Sequence, residues 1–402
     1  MPASPIAADR RRFIVACAAA AASLPTLAFA GNAGAGGNRF VLVILRGGMD
    51  GLGAVPAVGD ADFARARGPL ALYAAEPLRL DSTLSLHPNL GALHAMYVQG
   101  EAAVVVATGL AYRERSHFDA QQVLESGGTR PFELATGWLG RALAGSGSKG
   151  LALDTAVPLV LRGRATVDTW APSQLPDPSA DLVGRLEHMY AEDPALALAL
   201  ERARALHLDG MPAEMSSADN ATAVRGAPRQ GPFVVLARRA AEFLGQRSGP
   251  QAAVLELGGW DTHANQANAN GAMANALRQL DAGLAALRDG LVASDTWQRS
   301  VVVVASEFGR AVEVNGTLGT DHGTGGMAFV LGGAVQGGRI VGAWPGLGRA
   351  SRFEGRDLRT TTDLRSVLKG VLADHLRVAT RTLDNDVFPS SAQIRPLQIV
   401  RG

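Results

Sequence analysis

Five stretches of the chain place acids, histidines and one hydroxyl at spacings that suit a metal site or an activated nucleophile. "RGGMDGL" carries Asp50, and "AYRERSHFDA" carries Arg113, Arg115, Ser116, His117 and Asp119. "GGWDTH" carries Asp261 and His263, two apart. "SEFGR" carries Glu307, and fourteen residues later "TDHG" carries Asp321 and His322. Carboxylates brought together repel, and keeping them ionised calls for a compensating cation. A mixed Asp, Glu and His set without Cys suits zinc, manganese, magnesium or iron rather than a thiolate centre.

Each residue also has a plainer reading. An Asp after a strand is ordinarily a helix cap. Ser116 reads either as an N-cap, with Asp119 three residues on completing a near capping box, or as a nucleophile. In the second case it stands at a positive helix N-terminus, Arg113 and Arg115 hold an anion, and a metal lowers the hydroxyl pKa. Glu307 could pair with Arg310 on the surface while Asp321 caps a turn, but that leaves His322 and the other strand ends unexplained. No G-x-S-x-G turn occurs, so an α/β-hydrolase elbow is not supported.

The elements that would position these residues are legible as apolar runs. Phe40 to Leu45 is wholly apolar and ends in a glycine turn; 101–110, 251–263 and 299–310 repeat the pattern, the last through Val301 to Val304. Continuous apolar runs bounded by glycine suit strands buried on both faces. Helical patterns separate them, at roughly 89–99, 118–125, 180–206, 233–246, 264–291 and 362–376. The alternation predicts a doubly wound, mostly parallel α/β sheet with helices on both faces. In such sheets ligands bind beyond the carboxyl ends of the strands, where the acids and histidines fall. The run 327–346 reads as two strands around a Gly-Gly turn, and 208–231 as a loop-rich insert. Trp138 and Trp260 read as packing residues, and His87 as a helix cap before Pro88.

Bulk composition fits one large domain. The 402 residues are 47% apolar and 19% charged, with a formal charge of +1, so no basic field points to nucleic acid. "DRRRFIVACAAAAASLPTLAFA" reads as a twin-arginine export signal, residues 1–30, ending in a small-x-small site. Its removal takes three Arg and one Asp, bringing the charge from +1 to −1, and takes Cys17, the only cysteine. Residues 31–402 would then form a single domain without thiols, periplasmic or secreted, with no stable membrane span.

Taken together, "RGGMDGL", "RSHFDAQ", "GGWDTH", "SEFGR" and "TDHG" resemble an uncharacterised family of twin-arginine-exported proteins within the alkaline phosphatase/sulfatase superfamily. The resemblance covers about 38–392 and implies an alkaline phosphatase-like fold. It implies a metal-dependent hydrolase of phosphate or sulfate esters, with Ser116 as nucleophile and Arg113, Arg115 and His117 beside it. Asp50, Asp261, His263, Glu307, Asp321 and His322 would bind one or two divalent ions, zinc foremost, with manganese, magnesium or calcium as alternatives. The substrate would be a small anionic ester. An alternative is a non-catalytic metal- or partner-binding envelope protein on the same fold, its partner another exported uncharacterised protein. The pattern departs from the superfamily at Phe308, which stands where a metal-binding histidine is expected and cannot bind metal. Either His117 substitutes for it, or the site holds one metal, or none.

Overall fold

The computed structural model describes residues 37–172, 180–208 and 231–401. The export signal expected at 1–30 and the interior of the expected 208–231 insert lie outside these residues.

Four apolar runs form the centre of the sheet. They are β1 (Arg39–Leu45), β4 (Ala102–Gly109), β7 (Ala252–Leu257) and β8 (Ser300–Ser306). Alternate residues of each run enter opposite cores. Val41, Val43, Val302 and Val304 pack on one side, and Phe40, Leu42, Val301 and Val303 on the other. That is why neither face of these strands can be polar. The helices Pro232–Gly245 and Ala272–Ala293 cover the first face through Phe233, Ala237, Leu277 and Leu284. His117–Ser126, Trp138–Ala144 and Leu364–Asp374 cover the second through Val123, Trp138 and Leu368.

The remaining strands are β2 (Leu78–Arg79), β3 (Ser85–Leu86), β5 (Lys149–Ala152), β6 (Thr166–Thr169), β9 (Gly326–Leu331), β10 (Arg339–Val341) and β11 (Thr362–Asp363). The large sheet runs β10-β4-β9-β8-β1-β7-β5-β6, with β11 also on β4. Every pairing in it is parallel except those of β9, which runs against both β4 and β8. The sheet is mostly parallel, as expected. The expected strand pair in 327–346 exists as β9 and β10, but these lie on opposite sides of β4 rather than against each other.

Two helix expectations shift. The 264–291 pattern becomes a helix only from Ala272, because Asn265 adopts φ +49 and Ala264 bridges to Leu318. The 180–206 pattern divides into Ala180–Tyr190 and Pro194–Leu208, with Asp193 accepting from the Ala195 amide at 3.0 Å as the cap. No helix of the described residues is long and apolar enough to cross a membrane.

Candidate metal centre

Because β9 runs against two strands that are parallel to each other, β1, β4, β7 and β8 all end at one edge. The segment after β4 delivers His117, and that after β7 delivers Asp261 and His263. The excursion between β8 and β9 leaves and re-enters the same edge, bringing Glu307, Arg310, Asp321 and His322.

There the imidazoles meet. His117 Nε2 lies 3.0 Å from His322 Nε2, and Asp261 Oδ1 lies 3.4 Å from the first and 3.2 Å from the second. These three form the one group of metal-capable side chains found among the described residues. Their separations approach the edge of a tetrahedron built on zinc–ligand bonds, about 3.3 Å. His263 stands against the group, its Nε2 2.9 Å from both His322 Nε2 and Asp261 Oδ1.

The outer nitrogens fix which inner ones are bare. His117 Nδ1 sits 2.9 Å from Glu307 Oε1, and His322 Nδ1 sits 3.1 Å from the Arg115 carbonyl oxygen. Both partners only accept, so both Nδ1 atoms carry the proton, and in neutral rings both Nε2 atoms carry only lone pairs. Two bare nitrogens and a carboxylate oxygen then face one another at about 3 Å, an arrangement that suits a cation, or a proton donated by the neighbouring His263 Nε2. The Glu307 hydrogen bond, working against partial burial, raises the His117 pKa. Burial lowers that of His322. Burial alone would raise Asp261, but the Arg310 hydrogen bond and charge bring it down to about 2. Burial would likewise raise Glu307, yet the bond from His117 and the Gly47 amide hold it below the ordinary range.

A second layer holds the first. Glu307 is 1% exposed; its Oε1 accepts from Gly47 N (2.8 Å), His117 Nδ1 and Gln121 Nε2 (3.3 Å). Arg310, which the sequence reading left as a possible surface partner of Glu307, is fully buried and does something else. It donates to the carbonyls of Gly47 (2.6 Å), Gly48 (2.6 Å), Trp260 (3.0 Å) and Thr320 (2.9 Å) and to Asp261 Oδ1 (2.5 Å). One guanidinium thus ties the loops after β1, β7 and β8 together. Gly47 lets them approach: at φ +117, a Cβ there would lie 2.7 Å from the Asp261 amide. Phe308 packs its ring 4.7 Å from that of His117 and 5.1 Å from that of His322, walling the pair from the core.

Other expected site residues go elsewhere. Asp50 is corrected most clearly. It is 1% exposed, caps the helix Gly51–Ala54 through Leu52 N (3.1 Å), and gives its other oxygen to Arg67 and Gln266. A buried ion pair, not the histidine cluster, uses its charge. Arg113 donates to Thr360 Oγ1 at 2.6 Å, and Arg115 binds Asp357 (2.9 Å) and Glu354 (2.6 Å), so both guanidiniums of the expected anion clamp are engaged. What Arg115 contributes is its carbonyl, turned toward His322 by a left-handed φ of +62. Asp321 is exposed, accepts from Asn315 (3.0 Å), and stays 3.7 Å from His263 Nδ1. Ser116 occupies the N-cap position of His117–Ser126 without making a cap bond, while Asp119 accepts from the Tyr112 hydroxyl (3.1 Å). Trp260 is buried and donates to the Leu257 carbonyl (3.0 Å), a packing role as expected.

No curated protein matches the chain in sequence. Among solved structures, it is similar to the PsFucS1 sulfatase from Pseudoalteromonas sp., with TM-score 0.44 and 12% identity over 90% of this chain and 71% of that one. It is similar to the lipoteichoic acid synthase LtaP from Listeria monocytogenes, with TM-score 0.42 and 10% identity over 90% and 77%. It is also similar to a protein in the alkaline phosphatase superfamily from Vibrio parahaemolyticus, with TM-score 0.39 and 11% identity over 77% and 64%. These likenesses concern shape alone. A family model described as "Protein of unknown function (DUF1501)" matches residues 48–388, and the chain belongs to that family.

Proposed function

We propose that His117, Asp261 and His322 hold a divalent ion, zinc by the nitrogen-rich donor set, and that the centre serves hydrolysis of a phosphate or sulfate ester. The observation that carries this reading is the pair of bare Nε2 atoms, 3.0 Å apart and facing a carboxylate, with both outer nitrogens tied to acceptors. Three protein ligands leave a coordination position open, as in catalytic rather than structural zinc sites. Bound there, the ion supplies Lewis acidity toward an ester oxygen and toward a nucleophile. The chain's own residues do the rest. Glu307 and the Arg115 carbonyl hold the two rings in the tautomer that presents Nε2, and Arg310 keeps Asp261 ionised and in place. Ser116 is the proposed nucleophile, its hydroxyl free of capping duty at the start of the helix that bears His117. His263, exposed and hydrogen-bonded to Asp261, carries a proton at Nε2 for the leaving oxygen. Export as a folded protein to the periplasm or beyond belongs to the same reading.

One observation favours a second reading, a metal- or partner-binding envelope protein without turnover: Arg113 and Arg115 are committed to Thr360, Asp357 and Glu354 instead of an anion. Zinc content of the purified full chain, with p-nitrophenyl phosphate and p-nitrophenyl sulfate as substrates, separates the two. Zinc lost in His322→Ala together with turnover lost in Ser116→Ala supports the hydrolase. Zinc without turnover supports the binding protein, and no zinc uptake by wild type overturns both metal readings.

A further inference from the structure

The helices Ala180–Tyr190 and Pro194–Leu208 are joined by the turn 191–193. Arg204 of the second pairs with Glu187 of the first. Arg202 Nε lies 3.9 Å from Asp168 Oδ1 on β6, the strand that ends one side of the large sheet. The composition of this helix pair does not match its surroundings. Residues 194–200 read Pro-Ala-Leu-Ala-Leu-Ala-Leu, without one polar side chain. A helix that is apolar all round is ordinarily a covered one. Here no side chain from 182 to 204 is buried. Leu196 is 44% exposed, Leu198 51%, and Met189 on the first helix 70%. A contiguous apolar surface of this kind marks a place where something binds.

The charges say what covers it. Residues four apart on a helix share a face. Leu196, Leu200 and Arg204 do so on the second helix, and Glu192, exposed in the turn, precedes Leu196 by the same step. The stripe therefore reads acid, leucine, leucine, arginine. Turned end for end about a two-fold axis at Leu198, it is complementary to itself. Glu192 of each copy then meets Arg204 of the other, and Leu196 meets Leu200, which is what an isologous contact requires. A lipid surface fits poorly. Residues 182–204 hold four acids against three arginines, with no Lys, Trp or Phe, whereas helices that lie on anionic lipid carry a basic face and such rings. We propose that this helix pair is an interface with a second copy of the same chain, the two Pro194–Leu208 helices crossing antiparallel about Leu198. The footprint is small: 15 residues make a helix about 22 Å long, and two helices side by side span about 20 Å. Contacts of this size are weak and reversible, so the dimer forms in the micromolar range. Nothing in the proposal depends on the metal reading.

Sedimentation velocity of the full chain from about 1 to about 200 μM reads the monomer–dimer equilibrium. Leu196→Glu weakens the dimer by about tenfold or more, and because the residue is exposed in the monomer the variant keeps the wild-type melt. Glu192→Arg and Arg204→Glu each weaken it by about tenfold, since like charges then face each other twice. Both positions are at the surface, so neither change unfolds the chain. Mixed in equal amounts, these two variants form a heterodimer of wild-type strength, because every facing pair is again of opposite sign. A wild type that stays monomeric throughout overturns the proposal, and one that pellets as a monomer with phosphatidylglycerol vesicles assigns the surface to lipid instead. A dimer indifferent to Leu196→Glu is made elsewhere on the molecule and overturns it as well. So does a mixture that fails to recover, which would refute the antiparallel pairing.

Discussion

Replacing Glu307 by Gln isolates what the buried charge does for the proposed metal centre. Oε1 accepts three bonds, from Gly47 N, His117 Nδ1 and Gln121 Nε2, Oε2 meets Ser306 Oγ at 3.0 Å, and the carboxylate also takes up the Glu307 backbone amide. That serine has a second acceptor, the Leu45 carbonyl at 2.6 Å. A Gln oxygen can therefore keep all three bonds at Oε1. Its amide can donate to Ser306 Oγ, whose proton then goes to Leu45. At most one amide proton is left over, a cost of about 1 kcal/mol, and a buried charge is removed in exchange. The fold should survive with a small change in Tm. The His117 ring, however, loses a carboxylate partner of the kind that raises ligand basicity, and such losses cost about 10–100-fold in metal affinity, or about 1.4–2.7 kcal/mol. Zinc competition against a chromophoric chelator reads that change, with thermal melting alongside. Wild-type affinity in Glu307→Gln would refute the assigned role of the carboxylate. A melt as poor as that of Glu307→Ala, which orphans the Gly47 amide, would refute the claim that the hydrogen bonds are conserved.

Asp50→Asn should cost about 3–5 kcal/mol in chemical denaturation by leaving buried Arg67 without its counter-ion, yet zinc stoichiometry should equal that of wild type; lost zinc would return Asp50 to the centre. Arg310→Lys should both destabilise and weaken zinc about tenfold or more, since one ammonium cannot span carbonyls on three loops and Asp261; a wild-type melt and zinc titration would contradict this. His375, 3% exposed with its ring bonded to the Arg39 carbonyl at 2.9 Å, has its pKa lowered by burial from 6.5 to about 4. Its contribution is complete above pH 6.5 and is lost as pH falls toward 4, by about 3 kcal/mol. His375→Gln should flatten that part of the stability profile, and an unchanged profile would count against it.

The edge of the sheet was readable because it rests on two strong signals: unbroken apolar runs, and the residues that directly follow them. His117, Asp261, His263, Glu307 and His322 are all found there. What could not be read was which polar groups would consume one another. Asp50 is taken by Arg67, an arginine in a helix where nothing local marks it as buried. Arg113 and Arg115 are taken by Thr360, Glu354 and Asp357, some 240 positions away. Arg310 was visible in "SEFGR", but its carbonyl partners come from backbone that has no side-chain signature. Strand direction is equally silent in a run of valines, so the reversal of β9 became evident only in the sheet. Phe308, read in the sequence as standing where a metal-binding histidine is expected, has a role visible only in three dimensions, where its ring backs His117 and His322.

That reversal of β9 has an evolutionary side. The residues between β8 and β9 begin and end on neighbouring strands, held by the pairing of Val302 with Leu331 and Val304 with Phe329. Insertions and deletions at its exposed turn, 316–318, can therefore be tried without re-threading the chain, whereas Phe308 and Val312 belong to the two cores and stay fixed. Descendants of this fold can vary the side chains presented at that edge by editing one tethered arc while the frame is inherited intact.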